Sequence, residues 1–294
     1  MYKRQFFCIE GQEPDIENFD KVLFEAEYIK IEHTWDIFKR NGEAIVADYK
    51  YLTNDAISEP LSKTNTVIGD GEVFIEEGAK VECAIFNTEN GPIYIGKNAQ
   101  VMEGSIIRGP FALCESAIVK MAAKIYGDTT IGPHSKVGGE VGNSVIFGYS
   151  NKGHDGYLGN SVLGEWCNLG ADTNTSNLKN NYAEVKLWSY EENRFLNTGQ
   201  QFCGLMMGDH SKSGINTMFN TGTVVGVSAN IFGGGFPRNF VPSFSWGGSS
   251  GFTTYRTNKA YEVCEKVMQR RAILFTEREQ KILDHVFEIS QQYR

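Results

Sequence analysis

Residues 95–138 read IGKNAQVMEGSIIRGPFALCESAIVKMAAKIYGDTTIGPHSKVG. An aliphatic residue returns at every sixth position of this stretch: Ile95, Val101, Ile107, Leu113, Val119, Ile125, Ile131 and Val137. That period matches neither the 3.6-residue repeat of a helix nor the two-residue alternation of a half-buried strand. It is the period of a hexapeptide parallel β-helix, in which each hexad forms a short strand and a turn while the aliphatic side chains stack along the centre of the coil. Small residues stand four places after several of them, at Ala99, Ser105, Ala117, Ala123 and Ser135. Glycine follows directly at Gly96, Gly132 and Gly138, which predicts tight turns where φ > 0 is adopted without a Cβ penalty. Each turn of such a coil buries its aliphatics only against its neighbours, so several turns and capped ends are required.

Working outward, hexad-like pieces begin at Ile68-Gly69 with Ile75 and Val81, and return at Leu163-Gly164 and Leu169-Gly170. A further run comprises Met207-Gly208, Ser213-Gly214, Phe219, Val225-Gly226 and Ile231. The register slips between runs, so loops are expected there. From Thr257 the pattern becomes a helical stripe of Ala260, Val263, Cys264, Val267 and Met268. Thr276 with Glu279 has the spacing of a capping box ahead of a second helix carrying Ile282, Leu283, Val286 and Phe287. Thr34 is placed to cap a short helix from Trp35 to about Arg40, and a mixed segment then runs to Leu61. The fold class expected is an all-β solenoid with C-terminal helices and a small N-terminal α+β remnant. Its parts are a coil over 61–256, helices over 257–294 and the remnant over 6–60. Met1 to Gln5 read as a translated adapter that is excluded from fold reasoning.

The chain has 294 residues, with 32 Gly against 7 Pro, which favours many tight turns over rigid loops. A formal net charge of −8 leaves no basic face suited to sequence-independent nucleic-acid binding, so an anionic substrate needs a few local cations. No stretch approaches the ~18 consecutive apolar residues of a membrane span, and no leader is evident, so no membrane partner and a cytoplasmic location are expected. Cys8, Cys83, Cys114, Cys167, Cys203 and Cys264 are scattered without a CxxC pair, a pattern of reduced thiols rather than of a zinc site or disulfides.

The chemistry candidates cluster in Tyr149 to Lys186, a stretch dense in Asn, Lys, His and Gly. His154 has a side chain that exchanges protons near neutrality. The hexads together with KGHDGYLGNSVLGEWCNLGADTNTSN resemble the acetyltransferase domain of the bifunctional enzymes that acetylate glucosamine 1-phosphate and then form UDP-N-acetylglucosamine. The family's order of His, Tyr three later, Leu-Gly-Asp, Asn-Ile-Gly-Ala and a second Asn is met by His154, Tyr157, Leu158-Gly159-Asn160, Asn168-Leu169-Gly170-Ala171 and Asn177. Residues 35–41, 176–182 and 208–215 look most like the divergent form found in Bacteroidetes and, more distantly, archaea. The resemblance spans 34 to about 256.

It implies a left-handed coil, a homotrimer with the site between adjacent subunits, and acetyl-CoA as co-substrate with no metal. His154 would be the general base; Tyr157 and Asn168 would bind sugar hydroxyls; Asn177 would stabilise the oxyanion beside the acetyl group, and the backbone around Ala171 would face the cofactor. Lys186, or Lys179, would meet the substrate phosphate, and His210 and Lys212 the anionic end of coenzyme A. The sequence departs from the family at residues 138–144, which contain no cation where a phosphate-binding one is expected, so Lys124 or Lys152 would substitute. The segment between Asn181 and Gly204 is long for the family and reads as an extruded hairpin. No Gly-rich nucleotide loop occurs before residue 60, so the chain reads as starting within a longer protein whose uridylyltransferase half is missing, with 6–60 resembling the tail of that half and its helical linker. Two other readings compete: a structural or regulatory coil without catalysis, and a γ-class carbonic anhydrase, which would need His134, His154 and His210 gathered on zinc.

Overall fold

The computed structural model describes residues 28–294, of which Ile31–Arg294 make one compact unit. The adapter reading at 1–5, the part of the 6–60 remnant up to residue 27 and Cys8 lie outside the described residues.

The hexads wind into a parallel coil with three faces. Face 1 is a six-stranded sheet from Thr66–Ile68 to Tyr157–Gly159; face 2 has nine strands from Val73–Ile75 to Phe240–Val241; face 3 has ten from Lys80–Val81 to Gly251–Thr254. Three hexads complete one turn, so aliphatics eighteen positions apart are register partners: Val101 with Val119, Ile107 with Ile125, Leu113 with Ile131, Val119 with Val137. All eight aliphatics of the opening stretch are buried in one continuous core, and Ala99, Ser105, Ala117, Ala123 and Ser135 are buried with them. The N-terminal end differs from expectation, because Val67 rather than Ile68 pairs with inward Phe86 and Ile68 is exposed.

The glycines have a different reason from the one expected. The left-handed residue of each turn lies three places after the aliphatic and is usually not glycine: Asn98, Ser116, Ala122, Asp128, His134, Trp166, His210 and Phe244 all have φ between 51° and 60°. Gly132 is instead required for room, since a Cβ there would lie 2.7 Å from the Ile146 carbonyl oxygen of the next turn.

Helix α1 (Thr34–Lys39) and helix α2 (Asn41–Thr53) pack onto the coil within the same unit. Trp35 and Phe38 join Val162, Met206 and Val224 of face 2, while the Asn41 amide donates to the Asp128 carbonyl at 2.8 Å and accepts from the Thr130 hydroxyl at 2.9 Å. The 181–204 segment does form a hairpin, Lys186–Ser189 with Arg194–Asn197. It is folded back rather than extruded: Val185 and Leu187 are buried in the face 2 cluster and Trp188 stacks on Phe240 at 4.3 Å. Helix α3 (Thr257–Gln269) and helix α4 (Glu277–Ile289) follow the sequence reading, with Ala260, Cys264, Met268 and Leu283 buried. Asp36 accepts from the His33 N–H, and Thr276 and Glu279 form the expected capping box.

Candidate functional site

The coil loses its regular length where the chemistry candidates begin. Val137 pairs with Lys152, only fifteen positions on, so a lysine occupies the inward position that aliphatics hold below it. Lys152 is 2% exposed and its ammonium donates to the carbonyls of Gly138 (3.1 Å) and His154 (2.5 Å). Burial pushes it down to about 8, against the pull of Asp155 and Asp172. Enclosed in this way, Lys152 cannot reach a substrate phosphate; it ties down the bend that carries His154.

After that bend, strand Tyr157–Gly159 enters face 1. The Asn174 side-chain oxygen accepts from the Tyr157 N–H at 2.8 Å. Asn177 donates to the Tyr157 hydroxyl at 2.9 Å and to the Asn160 side-chain oxygen at 2.7 Å. Both amide hydrogens of Asn177 are thereby engaged, so in this arrangement it holds Tyr157 instead of offering a donor to an oxyanion. Gly159 makes the geometry available, since a Cβ there would run into the Tyr157 hydroxyl and the Asn177 amide. Burial raises the Tyr157 phenol above its ordinary value, partly offset by the Asn177 hydrogen bond.

Tyr157, Asn160 and Asn177 line one end of an open cleft of about 990 Å³ between face 1 and α2. Glu140, Arg108, Tyr126 and Asp128 also line it, with Glu43 of α2 and Phe202. In register along face 1, Lys124 neighbours Glu140 and Glu140 neighbours Tyr157. Lys124 pairs with Glu140 at 3.4 Å. Arg108 and Tyr126 escaped the sequence reading, although a signal existed. Each directly follows a hexad aliphatic, where Gly96, Gly132 and Gly138 stand in other turns.

The corner between faces 3 and 1 brings His154 and Ala171 together on successive turns, as the Asp172 N–H bonded to the Asp155 carbonyl at 3.0 Å shows. His154 is exposed at its bend. The Ala171 carbonyl accepts from the Asn216 N–H, whereas its own N–H meets no backbone carbonyl among the described residues. Asn168 is exposed on face 3 between Asn151 and Lys212, away from the cleft that holds Tyr157.

Four cations expected near anionic groups are placed elsewhere. Lys186 travels with the hairpin over face 2, and Lys179 donates to the Glu184 carbonyl at 2.8 Å; neither lines the cleft. His210 lies beneath α3, with Nδ1 3.4 Å from Cys264 Sγ, and Lys212 donates to the His210 carbonyl at 2.8 Å. Burial brings His210 down to about 4 and also lowers Lys212. His210 ends a stacked column of His134, Tyr149 and Trp166 that α3 descends. At the foot of α3, Arg270 and Arg271 come near Lys136 and Lys120, and burial followed by these three charges lowers the Lys136 ammonium. None of the four has an ion pair among the described residues.

Among the described residues, no three His, Cys, Asp or Glu side chains are gathered as a metal ion would require, and no helix is long and apolar enough to cross a membrane. No family model matches the chain. The bifunctional sugar-1-phosphate nucleotidylyltransferase/acetyltransferase of Sulfurisphaera tokodaii is 29% identical over 72% of this chain and 47% of its own length. The bifunctional protein GlmU of Methanocaldococcus jannaschii is 30% identical over 67% of this chain and 43% of its own. The chain thus spans less than half the length of either relative. Among solved structures, the polySia-specific acetyltransferase NeuO matches 72% of this chain and 99% of its own at 16% identity and a TM-score of 0.38. On the sequence matches, the chain is a homologue of the bifunctional sugar-1-phosphate nucleotidylyltransferase/acetyltransferases.

Proposed function

We propose that the chain transfers the acetyl group of acetyl-CoA to the amine of an amino-sugar phosphate, with glucosamine 1-phosphate as the substrate of first choice. The observation that carries this reading is the Tyr157–Asn177–Asn160 network, set in a cleft of face 1 directly after the bend that presents His154. Sugar hydroxyls bind to this network, while His154 stands on the ridge between the cleft and face 3. The amine nitrogen attacks the thioester carbonyl as His154 accepts its proton; the tetrahedral intermediate then collapses with cleavage of the C–S bond, and the thiolate leaves and is protonated. The Ala171 N–H, one turn from His154, stabilises the oxyanion in place of Asn177. Lys120, Lys136, Arg270 and Arg271 hold the phosphates of coenzyme A, the role first given to His210 and Lys212. Asn168, on face 3, belongs to this donor side. The active assembly is a homotrimer in the cytoplasm, and the reaction needs no metal.

The test is thiol release from acetyl-CoA by the full chain. Release should depend on added glucosamine 1-phosphate, and His154→Ala should slow it by about 10²–10⁴-fold with an unchanged melting temperature, because His154 is exposed. Release that ignores the sugar, or survives the substitution, would sink the reading, and no release at all would favour a non-catalytic coil.

A further inference from the structure

The charges of the cleft do not cancel evenly. Its lining contains four ionisable groups of full charge, Glu43, Arg108, Asp128 and Glu140. Glu43 pairs with Arg40 at 3.0 Å and Glu140 with Lys124 at 3.4 Å. Asp128 packs against Gly42, and burial raises its carboxyl above the usual range. Arg108 has no ion pair or side-chain hydrogen bond among the described residues, and it is exposed to the cleft. One guanidinium with no ion pair, on the open side of a cleft in a chain of net charge −8, is free to take an anion.

The floor between Arg108 and Tyr157 is built for a ring. Arg108, Tyr126, Gly142 and Gly159 occupy successive strands of face 1 in register. A Cβ on Gly142 would lie 3.1 Å from Tyr126 Cβ and 3.4 Å from its ring, so Tyr126 leans over the bare backbone of Gly142. Tyr157 in the same way lies over Gly159. Two phenol rings thus pave the surface, with the Asn160 and Asn177 amides at one end and Arg108 at the other. Three strand spacings of ~4.8 Å separate the two ends, about 14 Å, which a hexose phosphate and an arginine side chain fill together.

We infer that Arg108 is the anion anchor of this cleft, taking the phosphate of a sugar laid across Tyr126 and Tyr157 with its far hydroxyls on Asn160 and Asn177. This deepens the proposed function and rests on its placement of the sugar, while supplying the phosphate contact that Lys186, Lys179 and Lys152 do not make. Lys124 is held by Glu140, leaving Arg108 to discriminate phosphorylated from plain sugars.

Calorimetric binding to the full chain tests this with glucose 1-phosphate and glucose, which carry no amine and cannot be acetylated. Wild type should prefer glucose 1-phosphate, Arg108→Ala should weaken that binding by about 10- to 100-fold while leaving glucose unaffected, and Arg108→Lys should recover part of the loss as a point charge without the fork. A preference that persists in Arg108→Ala, or wild type binding neither sugar or both equally, overturns the inference. Because no acetyl transfer enters the measurement, a negative thiol assay with this result intact would remove only the acetyltransferase reading.

Discussion

Two stretches of one coil obey different rules. Between Ile95 and Val137 every turn is eighteen residues, every inward position is aliphatic, and register partners stack without interruption. From Val137 to Leu169 the turns shorten, Ile131 pairing with Ile146 and Ile146 with Leu163, and a lysine stands inside the coil. The first stretch supplies hydrophobic burial inside and, on its outer surface, the groups proposed for binding, Arg108, Tyr126, Lys120 and Lys136. The second gives up some of that regularity to set the His154 bend and the Tyr157 strand on one turn and the Ala171 corner on the next. Where the repeat is perfect the chain is a scaffold that carries at most groups for binding, and where it fails the candidates for proton transfer and oxyanion stabilisation are found.

Ile131→Ala breaks the regular side of this comparison hardest. Ile131 is fully buried among Leu113 and Ile146, and emptying that position should cost about 2–5 kcal/mol, read as a fall in the urea midpoint at constant slope. Activity per folded molecule in the cold should survive. His154→Ala is the mirror case, with chemistry lost and stability kept. If Ile131→Ala removed activity without destabilising the chain, the division into scaffold and site would be wrong.

The regular stretch was legible because one interaction, aliphatic stacking, dictates one residue class at one period. Left-handed turns were less so, since Asn, Ser, Ala, His and Trp all fill them when the coil imposes the backbone. Helix α2 was missed because its anchors are few and one is polar: Ile45 and Tyr49 bury, but Asn41 docks through hydrogen bonds to Asp128 and Thr130. Lys152, expected as a substitute for the missing phosphate-binding cation, is buried instead, and nothing local to the sequence says that its turn is short enough to point it inward. For the candidate site, the motif located His154, Tyr157, Ala171 and Asn177 on neighbouring turns, yet the job of Asn177 changes once its two partners are known. His210 and Lys212 are only half-exposed because α3, distant in sequence, packs over this corner through Cys264.

Lys152 lets the irregular stretch be probed through pH. Its ammonium titrates at about 8 in the fold against an ordinary 10.5. Below pH 8 folded and unfolded chains both carry the proton, and the burial cost is present in full. Between pH 8 and 10.5 the folded chain has released it while the unfolded chain still binds it, so stability rises with pH, by up to about 3 kcal/mol. Lys152→Met removes this term. The stability of wild type relative to Lys152→Met, from urea unfolding at several pH values, should be flat up to about pH 8 and climb above it. A difference that stays flat to pH 10 would place the ammonium in water and dissolve the contrast between the two stretches.

The finest test uses two glycines of the irregular stretch. Neither Gly153 nor Gly159 has a left-handed backbone, so alanine at either position strains no φ. Gly153 has open space where a Cβ would go, whereas at Gly159 the Cβ would meet the Tyr157 hydroxyl and the Asn177 amide. Gly153→Ala should therefore leave sugar KM and stability unchanged, although it directly precedes the candidate base. Gly159→Ala should lift Tyr157 off its seat and raise the KM for the sugar phosphate by about 10- to 100-fold, with KM for acetyl-CoA unchanged and stability lowered by about 1–3 kcal/mol. Equal effects at the two positions would mean that the shortened turns matter only as loops. Unequal effects, in this order, would mean that the coil departs from its repeat to seat one tyrosine.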